Sequence, residues 1–132
     1  MRIISGTARG TNLYTLEGKT TRPTLDRVRE SLFNILQNDI QDCVFLDLFS
    51  GSGALGLESI SRGAEFAYLC DSSRKAINII KQNVTKTRCE DNVCIINKKS
   101  DDALEYFKSI NEKFDIVFLD PPYKTNLAVE ST

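Results

Sequence analysis

Between Phe45 and Gly56 the chain reads Phe-Leu-Asp-Leu-Phe-Ser-Gly-Ser-Gly-Ala-Leu-Gly, an apolar run leading straight into glycines at 51, 53 and 56. Glycines at that spacing, after a strand and opening a helix, let the backbone turn sharply and pass close to a ligand that a Cβ would push away. The flanking pattern repeats the alternation. Val44 to Leu48, Phe66 to Cys70, Val93 to Ile96 and Asp115 to Leu119 read as strands. Between them fall helical patterns over Leu55 to Ser61, along the Ala76, Ile77, Ile80, Val84 face, and over Asp102 to Ile110. A further helix is expected from Thr24 to Asn38, on the spacing of Leu25, Val28, Leu32, Ile35 and Leu36. Apolar strands alternating with helices predict an α/β fold: a mainly parallel sheet, helices on both faces, right-handed crossovers.

A chain of 132 residues, 41% hydrophobic, suits one core. Residues 1–23, with Gly6, Gly10, Gly18 and Pro23 between short β-prone stretches, suggest a small hairpin or arm before a main domain over 24–132. The polar start and the lack of any membrane-length apolar stretch predict a cytoplasmic protein. In that setting the sequon Asn83-Val84-Thr85 carries no meaning, and Cys43, Cys70, Cys89 and Cys94, without C-x-x-C pairing, are expected as reduced structural thiols. The chain has no histidine, so the usual zinc sets and Ser-His-Asp or Cys-His catalysis are excluded; carboxylates, tyrosine, lysine and backbone groups remain.

Net charge is −1, but unevenly placed. Residues 1–29 carry Arg2, Arg9, Lys19, Arg22, Arg27 and Arg29 against Glu17 and Asp26, a basic arm on an acidic body. Such an arm suits phosphates, although a solvated surface looks the same in sequence.

Taken alone, the glycine turn equally fits a dinucleotide, with pyrophosphate on the helix N-terminus and Asp71 about 20 residues on as the ribose acid. Asp47 tips the balance, because a carboxylate four residues before Gly51 repels pyrophosphate and suits a ligand bearing an ammonium group, such as the methionine moiety of S-adenosylmethionine. Asp71 would then accept from both ribose hydroxyls. Asp102, or its neighbour Asp101, is placed to meet an adenine amino group. Asp47 as a turn residue, Asp71 as the start of the next helix and Ser100-Asp101-Asp102 as a helix cap are the structural alternatives.

Asp120-Pro121-Pro122-Tyr123 follows the fourth strand, at the edge where open α/β sheets bind ligands. A base amino group is a poor nucleophile because its lone pair is delocalised into the ring. Acceptance of its N–H bonds by Asp120 and the Pro121 carbonyl frees that lone pair, the proline pair stiffens the acceptors, and Tyr123 is suited to stack on the base. A strand-ending turn is the bland alternative.

The sequence resembles the class I methyltransferases, and among them the 16S rRNA guanine-N2 methyltransferases. The resemblance runs through Arg2-Ile-Ile-Ser-Gly6 with Arg9-Gly10, then Thr21-Arg-Pro-Thr-Leu-Asp-Arg-Val-Arg-Glu-Ser-Leu-Phe-Asn34, Leu46 to Glu58 with Ser61-Arg62-Gly63, and Phe118 to Tyr123. It implies that Asp47, Ser50, Gly51, Gly53, Asp71 and Asp102, flanked by Phe49 and Ser72, surround S-adenosylmethionine. It also implies that Asp120, Pro121, Pro122 and Tyr123 hold the target guanine and that Arg9, Arg22, Arg27 and Arg29 face RNA, within a small-subunit assembly particle. The family fold continues with three more strands where this chain stops nine residues after Tyr123, so a C-terminally shortened domain is expected, with self-association through an exposed fourth strand. An N-methyltransferase acting on adenine or cytosine amino groups, a nicotinamide-dependent oxidoreductase using the same turn, and a non-enzymatic RNA-binding module are the alternatives.

Overall fold

The structure is a computed structural model and describes residues 1–15 and 23–119. Four parallel strands, β1 (Val44–Asp47), β2 (Phe66–Cys70), β3 (Val93–Ile96) and β4 (Ile116–Phe118), lie in the order β3-β2-β1-β4. Phe45 aligns with Ala67 and Ile116, and Tyr68 with Cys94. The helices are α1 (Pro23–Ile40), α2 (Ala54–Ser61), α3 (Arg74–Thr87) and α4 (Ser100–Ser109), with a short 3₁₀ turn at Glu90–Asn92.

Strand alternation sorts the core into two layers. Phe45, Ala67 and Leu69 face Phe33 and Ile40 of α1, Leu57 of α2, and Ile80 and Val84 of α3. Leu46, Cys70 and Ile96 turn the other way, onto Ala103 and Phe107 of α4. Helices therefore cover both faces, as the alternation predicts. Each fully buried Phe or Leu contributes about 1.5–3 kcal/mol. Gly56 is a point of close approach between α2 and the sheet: a Cβ there would lie 2.0 Å from Leu69 Cδ2.

The apolar period used to expect α1 marks its buried face only in part: Leu36 packs against the core, but two other members of the set point outward. Val28 and Ile35 are 59% and 78% exposed, while Arg29 and Phe33 turn inward together with Ile40. Phe33 stacks on Phe45 with ring centroids 6.4 Å apart, and the Arg62 guanidinium lies 5.0 Å from its ring centroid. Burying a ring with two such neighbours outweighs burying Val28.

Residues 1–15 double back on themselves, with an antiparallel bridge between Arg2 and Asn12 and bonds Ile3 N–H to Thr11 O (3.0 Å) and Leu13 N–H to Met1 O (2.7 Å). Ile3 and Leu13 enter the same apolar cluster as α1, α2 and α3. Two polar groups in the body hold the two legs. Glu58, fully buried in α2, accepts from Ile4 N–H (2.9 Å) and Ser5 N–H (3.1 Å). Asn83 of α3, equally buried, accepts from Tyr14 N–H (2.7 Å) and donates to Tyr14 O (2.9 Å). Cys43, Cys70, Cys89 and Cys94 are all unpaired thiols. Among the described residues no helix is long and apolar enough to cross a membrane.

Candidate cofactor site

β1 delivers Asp47 to the carboxyl edge of the sheet, where it is 1% exposed. Its Oδ1 accepts from Phe49 N–H (3.1 Å), and Ser50 Oγ–H donates to the Asp47 carbonyl (3.2 Å), so the chain folds over the strand end. Ser50 N–H then reaches the Cys70 carbonyl (2.9 Å), carrying the turn across to β2. The next residue there is Asp71. Its Oδ2 accepts from Gly51 N–H and its Oδ1 from Ser73 N–H, each at 2.9 Å. One carboxylate thus ties the glycine turn to the start of α3.

Gly51 and Gly53 have φ of +58° and +84°, conformations that favour glycine. Their surroundings differ. A Cβ on Gly53 would touch Leu69 and Ile80 at 3.4 Å, whereas one on Gly51 would meet nothing within 4 Å. Gly51 therefore borders open space, and Gly53 the core. Asp71 spends two of its roughly four lone-pair directions on backbone, which leaves acceptors for a diol. Residues 45 to 57 include no Lys or Arg to neutralise a phosphate. The space beside Gly51, edged by carboxylates, fits a ligand with a ribose and a cationic end better than a pyrophosphate.

Asp101 and Asp102 are exposed in the first turn of α4, whose N-cap is Lys99 with no side-chain cap bond. They complement the helix dipole there and do not cap the helix. Phe49 is half-buried and Ser72 exposed beside Asp71. Asp120, Pro121, Pro122, Tyr123 and Arg22 lie outside the described residues. Of the other arm arginines, Arg9 and Arg27 are exposed. Arg29 is a correction. It is 6% exposed, donates to the Arg2 carbonyl (2.5 Å), and holds Nε 3.7 Å from Glu58, so it secures the arm from inside and is not presented to a phosphate.

Two residues outside the expected set shape the site, and a third, Glu58, holds the arm. Asn83 also donates to the Ser52 carbonyl (2.8 Å), joining the arm, α3 and the glycine turn. Asn97, just after β3, donates to the Asp71 carbonyl (3.0 Å). Glu58 pairs with Arg62 at 2.8 Å. Asn83 and Glu58 leave one trace in sequence, a polar residue at a helix position whose neighbours are core. Clefts lined by Thr7, Gln37 and Arg62, and by Asp39, Cys43 and Asp115, flank segments that precede the strands, away from the glycine turn.

A parallel 3-2-1-4 sheet whose glycine turn is edged by carboxylates from successive strands is the class I methyltransferase fold. A solved S-adenosylmethionine-dependent methyltransferase from Agrobacterium tumefaciens superposes with a TM-score of 0.64 at 24% identity, over 76% of this chain and 32% of that one, a likeness of fold alone. The chain matches the family described as conserved hypothetical protein 95 over residues 1–132, and it belongs to that family. It is 39% identical over 132 residues to the Haemophilus influenzae protein named ribosomal RNA small subunit methyltransferase D, covering 99% of this chain and 68% of that one. A solved hypothetical protein from Thermus thermophilus matches with a TM-score of 0.84 and 32% identity, over 98% and 74% of the two chains. The chain spans about two thirds of the length of the curated relatives it matches.

Proposed function

We propose that this chain is the cofactor-binding part of an S-adenosylmethionine-dependent methyltransferase that methylates the exocyclic N2 of a guanine in 16S rRNA, in the cytoplasm and within a small-subunit assembly particle. The observation that carries the reading is the Asp71 carboxylate holding Gly51 N–H beside open space, one strand from buried Asp47. When bound, S-adenosylmethionine supplies an electrophilic methyl on a sulfonium.

In this reading Asp71 accepts from the ribose hydroxyls, Asp47 with Phe49 and Ser50 faces the ammonium end, Gly51 and Gly53 admit the ligand, and Ser72 with Asp102 borders the adenine. Asp120 and the Pro121 carbonyl hold the guanine amino group, Pro122 stiffens them and Tyr123 stacks on the base. The cofactor would supply the methyl, and Asp120 or water would take up the N–H proton that the guanine nitrogen gives up. Because the donor begins as a cation, preorganised acceptors matter more than a strong base. Residues 1–23, with Arg9 and Arg22, form the RNA-facing arm of a body over 24–132, and Arg27 extends that basic surface onto α1. The outer edge of β4, where Val117 is half-exposed, is the surface for self-association, which sedimentation at rising concentration reads directly.

The test is titration of the protein with S-adenosylhomocysteine and with NAD, followed by methyl transfer to small-subunit particles and mass analysis of the digested RNA. Saturation at about 100 times the dissociation constant stabilises a true site by about 2.7 kcal/mol. Stabilisation by NAD alone would replace this reading with an oxidoreductase.

A further inference from the structure

We infer that the solvent face of α3, with the ring of Tyr14, is an RNA-contact surface separate from the arm's arginines. The inference rests on the proposed function and adds a surface to it. Over Arg74–Thr87 the helix carries Arg74, Lys75, Lys81 and Lys86 and no acid at all. All four are exposed, while Ala76, Ile77, Ile80, Asn83, Val84 and Thr87 are buried, so the four charges share one arc.

Helix stability does not account for this set. Arg74 and Lys75 stand in the first turn, where cations oppose the helix dipole at about 0.3–1 kcal/mol each, and the helix offers no carboxylate for an i,i+4 pair. Nor does overall charge, which is −1. A polyanion accounts for it. From Arg74 to Lys86 the helix extends about 18 Å, enough to follow several phosphates.

The second observation is Tyr14. The residue is 48% exposed with the Lys86 ammonium 4.3 Å from its ring centroid, and both its backbone groups are clamped by Asn83 of the same helix. A rigidly mounted, half-exposed aromatic beside a basic row is how proteins stack unpaired RNA bases while holding the backbone. The row begins at the residue after Ser73, which is bonded to Asp71, so RNA lying along α3 would approach the cofactor edge.

The test compares Lys81→Gln/Lys86→Gln with the control Lys108→Gln/Lys113→Gln, which removes the same charge from elsewhere on the surface. Binding of a small-subunit rRNA transcript is measured across a salt series, with S-adenosylhomocysteine affinity measured alongside. The α3 pair should weaken RNA binding at least tenfold at low salt and lower the salt slope by about 1 per lysine, while the control moves neither. Tyr14→Ala should weaken binding with the slope kept, and Tyr14→Phe should restore it. An unchanged slope, or an equal loss in the control, overturns the inference. Wild-type protein that binds RNA but no S-adenosylhomocysteine overturns the proposed function instead, and the slopes still decide the surface.

Discussion

Asn83 and Tyr14, 69 residues apart, bond to each other as two strands would, carboxamide to backbone, at 2.7 and 2.9 Å. The same carboxamide holds the Ser52 carbonyl of the glycine turn. Asn83→Ala should therefore cost about 2–4 kcal/mol, because the three hydrogen bonds of this buried carboxamide are lost together. It should also weaken S-adenosylhomocysteine binding, and chemical denaturation with calorimetry reads both. A variant as stable as wild type would show that the clamp is dispensable.

Glu58 serves the other leg of the arm. It is fully buried, accepts two backbone N–H groups and faces Arg62 and Arg29. Removal of one partner from a buried ion pair costs about 3–5 kcal/mol, so Glu58→Ala should unfold at much lower denaturant, with proteolysis beginning in residues 1–15. Cleavage starting elsewhere would count against the anchoring role.

Gly51→Ala and Gly56→Ala should separate ligand binding from folding. At Gly56 the new Cβ would press on buried Leu69, costing about 1–3 kcal/mol. At Gly51 it enters open space, with about 1–2 kcal/mol of strain from the positive φ and a cofactor affinity at least tenfold lower. Equal effects on ligand affinity in the two variants would remove Gly51 from the site.

Asp71→Ala should raise the S-adenosylhomocysteine dissociation constant tenfold or more, because bonds to a charged acceptor are worth about 1.5–3 kcal/mol each. Asp120→Ala should abolish methyl transfer and leave that constant nearly unchanged. Equal loss of binding in both would mean that their roles are wrongly divided.

Burial pushes the Cys43 thiol up from 9.0 to about 11 and Cys70 to about 12, the latter helped by Asp47, while Cys89 and Cys94 are raised in the same direction. The folded state holds these protons after the unfolded chain has released them. Their contribution is thus fully present below pH 9 and is lost as pH rises toward 11–12. Unfolding free energy should fall across that window, less so in a Cys43→Ala/Cys70→Ala variant than in wild type.

The strands and the glycine turn were legible because short apolar runs and a glycine triplet are local signals; β2 and β3 fall at their expected bounds. The arginines show where such signals stop. Arg9, Arg27 and Arg29 look alike in a charge count, yet of these three only Arg29 is buried, beside the carboxylate of Glu58. The basic row of α3 was hidden by the acidic total of the residues around it, since a helix face appears only once the opposite face is buried.

By itself the amino-acid order determined the alternation of strands and helices, the place of the glycine turn and the acids that follow three of the strands, because those depend on neighbours within a few positions. Only the tertiary structure decided which side of α1 is core, that Glu58 and Asn83 fasten the arm, and that Asp71 spans Gly51 and Ser73. Each of those outcomes turns on which groups meet across the sheet, where a buried polar atom must find a partner or cost the fold its desolvation energy.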